Sequence, residues 1–187
     1  MQLPDHISID FLAQWGSDKL VMSADAVNRV QTNRNYLEDI LKEGKTYYGI
    51  NTGFGSLCNV RIDDNELAKL QENLVCSHAC GMGDEVPEEI VRLMLLLKVH
   101  GLSRGYSGVR TSIVQRLVDF YNKGITPVVY ELGSLGASGD LAPLAHLSLP
   151  IFGMGKVRYK GQVREAADVL KEEGMEPMPL AAKEGLA

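Results

Sequence analysis

The sequence predicts a mainly α-helical fold with one small β-hairpin and a glycine-rich loop. Apolar residues recur at helical spacing, as at Val27, Val30 and Leu37, which lie on one face of a helix. Serine precedes and glycine follows several of these stretches, at the positions that helix caps occupy. The chain of 187 residues is long enough to bury one core, so we expect a single domain over residues 1–187.

Four helices are predicted in the first half of the chain. We expect a short one capped by Ser8 and a longer one capped by Ser23, and the four ranges are 9–15, 24–43, 65–80 and 87–102. Between the second and third helices, the stretch from Tyr47 to Gly55 is predicted to be extended at first and then to enter a separate glycine-rich loop.

The second half begins with a break at Gly105 to Gly108 and then continues mainly as helix. A helix is expected over residues 109–122, ended by Gly124, and the glycine-rich loop follows from Gly133 to Gly139. The next helix has Asp140 as its N-cap and Pro143 in its first turn. A hairpin over 157–163 and a helix over 166–173 complete the prediction. Residues 181–187 are expected to begin a helix that has no C-cap, so we expect a chain cut within an element.

Composition excludes several functional classes. The net charge of −5 does not favour a nucleic acid partner, which binds clustered lysine and arginine. Three cysteines fit a reducing cytoplasm better than a disulfide framework. The first residues do not resemble a signal peptide, and the longest apolar stretch is too short to cross a membrane. We therefore expect a cytoplasmic protein.

Metal binding and serine hydrolysis are weaker interpretations of the polar motifs. Cys76, His78 and Cys80 could bind zinc, but on the predicted helix His78 points away from the cysteines, so no metal site is expected. Ser138 lacks the Gly-x-Ser-x-Gly pattern of hydrolases, because Asp140 stands where the last glycine is required.

The glycine-rich loop allows two interpretations. One is structural: a loop that leads into a capped, buried helix. The other is chemical, because the unhindered Gly139 nitrogen could attack the Ala137 carbonyl, and Ser138 could then lose water. The product would be an electrophilic five-membered ring formed from the chain itself, and backbone strain would favour its formation.

The eleven residues from Gly136 to His146, Gly-Ala-Ser-Gly-Asp-Leu-Ala-Pro-Leu-Ala-His, resemble the signature of the aromatic amino acid ammonia-lyases. The resemblance implies that Ala137, Ser138 and Gly139 form a methylidene-imidazolone, with no external cofactor. The stretch from Tyr48 to Gly55 resembles the tyrosine loop of the family, which implies that Tyr48 transfers the β-proton. Ser77-His78 matches the pair found in histidine-specific members, which implies that His78 binds the substrate imidazole.

The resemblance further implies L-histidine as substrate, urocanate as product and a homotetramer in which each active site draws on several subunits. Members of the family are much longer, so we expect an N-terminal portion that ends before the central helical bundle and is inactive by itself. Two alternatives stay open: a lyase or aminomutase acting on another aromatic amino acid, and a non-catalytic helical fragment.

Overall fold

The computed structural model describes residues 2–16, 18–185 and 187, and α-helices dominate it. The described helices are α1 (Ile9–Ala13), α2 (Ala24–Lys42), α3 (Leu67–His78), α4 (Glu88–Ser103), α5 (Thr111–Lys123), α6 (Leu141–Ser148) and α7 (Ala166–Glu172). The mainly α-helical prediction is confirmed, and every predicted internal helix is present. The predicted ends differ by a few residues, since α1 stops before Trp15 and α3 stops before Cys80.

The helix ends follow the expected capping chemistry. The Ser8 side chain accepts a hydrogen bond from Phe11 N at 3.1 Å, and Ser23 accepts one from Ala26 N at 3.1 Å. Each serine therefore satisfies an N–H group that the first turn leaves without a helical partner. Helix α5 ends at Gly124, whose φ of 67° is the left-handed conformation that glycine adopts most easily.

Helices α4 and α5 form the centre of the hydrophobic core. Leu95 and Leu96 on α4 are buried together with Val114 and Phe120 on α5. The same cluster extends to Leu170 and to other apolar residues of α6, α7 and the strands. Helix α6, which carries the end of the predicted signature, is thereby fixed against the core.

The strands are short and form two small antiparallel sheets. They are β1 (Met82–Glu85), β2 (Thr126–Pro127), β3 (Tyr130–Leu132), β4 (Lys156–Tyr159) and β5 (Gln162–Glu165); β1 pairs with β3, and β4 lies between β2 and β5. The predicted hairpin is β4–β5, and its turn has positive φ at Lys160 and Gly161. Strands β1, β2 and β3 were not predicted, because they are two to four residues long and β1 is exposed throughout.

The prediction that residues 181–187 begin a helix is wrong for the described part of this segment. Residues 182–185 form a turn. The buried carboxylate of Glu184 determines its path, because it accepts hydrogen bonds from Arg110 Nη2 at 2.6 Å and from Ala181 N at 2.7 Å. The turn therefore keeps this buried carboxylate paired with an arginine and with a backbone N–H group.

Among the described residues, no helix combines the length and the apolar character that crossing a membrane requires.

Candidate active site

Residues 133–140, here called the Ser138 loop, precede α6 and are exposed. Gly136–Ser138 form one turn of 3₁₀-helix, in which Ser138 N donates to Leu135 O at 2.9 Å. The Ser138 hydroxyl donates to the same carbonyl at 2.8 Å. The hydrogen bonds that shape this turn therefore all join residues close in sequence.

Asp140 occupies the predicted N-cap position of α6, but its side chain makes no capping hydrogen bond. Its carboxylate instead accepts a hydrogen bond from the hydroxyl of Ser134, across the base of the loop. Asp140 also has a φ of 56°, in the left-handed region that costs a non-glycine residue energy. The prediction that Asp140 is the N-cap residue of this helix is therefore confirmed, but its side chain closes the loop through Ser134 and does not bond to the helix end. Pro143 lies in the first turn, as predicted.

The Ser138 loop fits the ring that the sequence predicts from Ala137, Ser138 and Gly139. Gly139 has a φ of 90°, and a Cβ added there would meet no atom within 4 Å. The space beside its Cα is therefore open, on the side where a side chain would project. The backbone bends tightly here, because Gly139 N donates to Gly136 O at 3.2 Å and Asp140 N donates to Leu135 O at 3.4 Å.

A cavity of about 170 Å³ lies beside the Ser138 loop, and its lining includes Ser138, Gly139 and His78. Two residues predicted to act on one substrate, His78 and Ser138, therefore share one cavity although they are distant in sequence. Helix α3 brings His78 there as its last residue. Leu74 and Leu144 contribute apolar lining.

The hydrogen bonds of His78 determine its tautomer. Its Nδ1 lies 2.8 Å from Leu74 O and 3.1 Å from Ser77 Oγ. A carbonyl oxygen can only accept, so Nδ1 carries a proton and donates it. In the neutral ring, Nε2 is then a hydrogen-bond acceptor.

Lys98 of α4 also lines the cavity. Burial lowers the pKa of Lys98, and the positive charge of Lys183 lowers this pKa further. Its ammonium donates a hydrogen bond to Ala187 O, and both Ala187 and Gly185 line the same cavity. Lys98 was not among the predicted site residues. The feature that could have identified it is its position as a single cation within the apolar run Leu95 to Val99.

Tyr48 is not among the residues that line this cavity. Its side chain is 65% exposed and packs edge-on against Phe54, with ring centroids 6.0 Å apart. It belongs to residues 47–62, here called the Tyr48 loop, which turns at residues 48–50 rather than running extended as predicted. The chain thus brings His78 to Ser138 but does not bring Tyr48 to them.

Buried polar side chains support the Tyr48 loop. Asn51 Oδ1 accepts from Tyr47 N at 2.7 Å, and Asn51 Nδ2 donates to Lys45 O at 2.8 Å. Thr52 Oγ1 accepts from Gly49 N at 3.1 Å. Thr52 thereby satisfies the N–H group of the buried Gly49, and Asn51 joins two partly buried backbone groups of the same loop.

Comparison with known proteins identifies the family. Residues 8–187 match the family model described as aromatic amino acid lyase. A histidine ammonia-lyase of Streptococcus pyogenes serotype M49 is 49% identical over 162 residues, which are 87% of this chain and 32% of that protein.

Solved structures with the same fold include a phenylalanine aminomutase from Pantoea agglomerans, with a TM-score of 0.91, 33% identity and coverage of 100% of this chain and 36% of that one. A histidine ammonia-lyase from Trypanosoma cruzi has a TM-score of 0.83, 38% identity and coverage of 94% and 33%. This chain spans about a third of the length of these relatives. The resemblance inferred from the signature is confirmed: the chain belongs to the aromatic amino acid lyase family.

Proposed function

We propose that this chain is the N-terminal portion of a histidine ammonia-lyase, an enzyme that eliminates ammonia from L-histidine to give urocanate. The observation that carries the proposal is the cavity shared by His78 and Ser138. The similarity to histidine ammonia-lyases at 49% identity supports the choice of substrate. We also propose that residues 1–187 form one domain, which one core cluster supports.

His78 would recognise the imidazole of the substrate. Its Nδ1 donates to Leu74 O, so Nε2 can accept a hydrogen bond from the N–H group of another imidazole. An aromatic substrate without a ring N–H would leave this half-buried acceptor unpaired, which disfavours its binding. Orientation of the imidazole at His78 would place the amino group of the substrate toward the Ser138 loop.

Ala137, Ser138 and Gly139 would form and hold the methylidene-imidazolone. Ring closure joins Gly139 N to the Ala137 carbonyl carbon and releases one water; the Ser138 side chain then loses its hydroxyl as a second water. The open space at Gly139 supports this assignment. The ring supplies an electrophilic carbon that makes the amino group of the substrate a better leaving group.

Tyr48 would remove the β-proton of the substrate. Its exposure outside the cavity supports an arrangement in which the Tyr48 loop of one subunit completes the site of another. We therefore propose a homotetrameric, cytoplasmic enzyme, and we expect the 187-residue chain to be inactive alone, because it covers about a third of its relatives.

The decisive experiment is the Ser138→Ala substitution in the complete polypeptide. The parent should be lighter than its sequence mass by both released waters and should produce urocanate. The variant has no side-chain hydroxyl to release as the second water, so it should not show the full loss of mass and should lose urocanate production. Ser134→Ala, in the same loop, is the matched control and should keep the ring and the activity. Urocanate production by Ser138→Ala at the parental rate would contradict the proposal.

An aminomutase is the second candidate, because the phenylalanine aminomutase from Pantoea agglomerans matches the whole chain with a TM-score of 0.91. Product analysis with histidine, tyrosine and phenylalanine separates the two. A β-amino acid product would favour the aminomutase. No turnover of any of the three by the complete, cyclised polypeptide would favour the non-catalytic alternative.

A further inference from the structure

The backbone of Gly81 makes a contact with His146 that the proposed chemistry does not use. Gly81 N donates to His146 Nε2 at 3.0 Å. Because Nε2 accepts, Nδ1 carries the proton of the neutral ring. Burial lowers the pKa of His146, which keeps the ring neutral and the acceptor available near neutral pH. The Tyr130 ring packs edge-on against the imidazole, with ring centroids 5.1 Å apart.

A side chain at Gly81 would crowd its neighbours. A Cβ added to Gly81 would lie 3.0 Å from His146 Nε2 and 3.2 Å from Tyr130 Cβ. On the other side, a Cβ added to Gly133 would lie 3.1 Å from Gly81 Cα. Gly133 begins the Ser138 loop, and His146 lies on α6 just after it. Gly81 is therefore enclosed by residues from both ends of that loop.

The contact lies close to His78 along the chain. Gly81 follows His78 by three residues, and Cys80 N donates to His78 O at 2.8 Å, which keeps the connection tight. A shift of Gly81 would therefore move the end of α3 and its last residue. His78 and Ser138 line the same cavity, so their separation depends on how Gly81 is held.

We propose that His146 is a positioning residue: by holding the backbone of Gly81, it sets the distance across the cavity between His78 and the Ser138 loop. This inference rests on the proposed function, in which both residues act on one substrate. His146 then acts on substrate binding through His78, and it does not contact the reacting atoms.

The test compares two substitutions of His146 in the complete polypeptide. His146→Gln keeps a side-chain oxygen that can accept from Gly81 N, whereas His146→Leu has no acceptor. Loss of one hydrogen bond should raise the KM for L-histidine about tenfold in His146→Leu, with kcat within about threefold of the parent. His146→Gln should restore the parental KM to within about threefold. A parental KM in His146→Leu, or an equal defect in both variants, would overturn the proposal.

A second measurement separates this proposal from the proposed function. In the 187-residue chain, His146→Leu should shift the imidazole resonances of His78 and speed the amide hydrogen exchange of Gly81, while His146→Gln should leave both near the parent. If the complete polypeptide makes no urocanate, the proposed function fails. The His78 resonances of the 187-residue chain still test whether His146 positions His78. Unchanged His78 resonances in His146→Leu overturn it.

A double substitution covers the case in which His146→Leu unfolds. Gly81→Ala alone forces its Cβ against the imidazole, so it should shift the His78 resonances. Combining Gly81→Ala with His146→Ala removes the close contact with the imidazole and leaves that with Tyr130 Cβ, so the two stability effects should be less than additive. Strictly additive effects would contradict a direct contact between these residues.

Discussion

The Tyr48 loop and the Ser138 loop both present an exposed side chain with a proposed chemical role, but they are built differently. In the Tyr48 loop, the side chains of Asn51 and Thr52 are buried and satisfy backbone groups. In the Ser138 loop, every residue is exposed, and the turn depends on local hydrogen bonds. The first loop is anchored within this chain, whereas the second is anchored mainly at its ends, by Gly133 and α6.

This difference has a chemical consequence. Proton transfer by a tyrosine needs a fixed side chain, which a buried anchor provides. Ring closure needs a backbone that can bring Gly139 N to the Ala137 carbonyl, and a turn held by local hydrogen bonds leaves that movement possible. Substitutions in the two loops should therefore differ in their effect on stability.

Asn51→Ala should have the largest effect of these substitutions. It removes hydrogen bonds to Tyr47 N and Lys45 O and should lower the free energy of unfolding by about 2 to 3 kcal/mol. Urea unfolding of the 187-residue chain, followed by circular dichroism, measures it. Asn59→Ala, at an exposed position of the same loop, is the control and should change stability little. An equal loss in both variants would contradict the anchoring role of Asn51.

Thr52→Val should have the next largest effect. It keeps the shape of the side chain but leaves Gly49 N buried without its acceptor, at a cost of about 1 to 2 kcal/mol. The same unfolding experiment applies, with the exposed Thr46→Val as the matched control. A neutral result would mean that Gly49 N finds another partner, and that Asn51 alone anchors the loop.

Gly139→Ala should have a smaller effect. The φ of 90° is unfavourable for alanine, although space is open, so we expect a loss of about 1 kcal/mol. Gly136→Ala is the control in the same loop, because its added Cβ also meets no atom and its φ is not positive. Thermal unfolding of the two variants should show a lower midpoint only for Gly139→Ala. Equal midpoints would mean that the loop relaxes around the new side chain.

Ser134→Ala should have the smallest effect. It removes the hydrogen bond from Ser134 to Asp140, and because both residues are exposed, the stability should change by less than about 0.5 kcal/mol. Ser56→Ala, an exposed serine of the Tyr48 loop, provides the comparison. A loss above about 1 kcal/mol in Ser134→Ala would show that the Ser138 loop is more firmly anchored than its exposure indicates.

Local chemistry made most of the fold predictable from sequence. Helices α2 and α5 follow from apolar spacing, from Ser23 as a cap and from Gly124 as a stop, which act within one or two turns. The β4–β5 hairpin follows from alternation around Lys160-Gly161. The signature from Gly136 to His146 led to the family, because it is one contiguous pattern of eleven residues.

Only the tertiary structure decided how distant residues meet. It placed His78 beside Ser138, left Tyr48 outside their cavity, and directed the carboxylate of Asp140 to Ser134 rather than to the helix end. It also paired the buried carboxylate of Glu184 with Arg110, in the turn over residues 182–185. These contacts join parts of the chain that are far apart or that compete for the same groups, so local propensity cannot determine them.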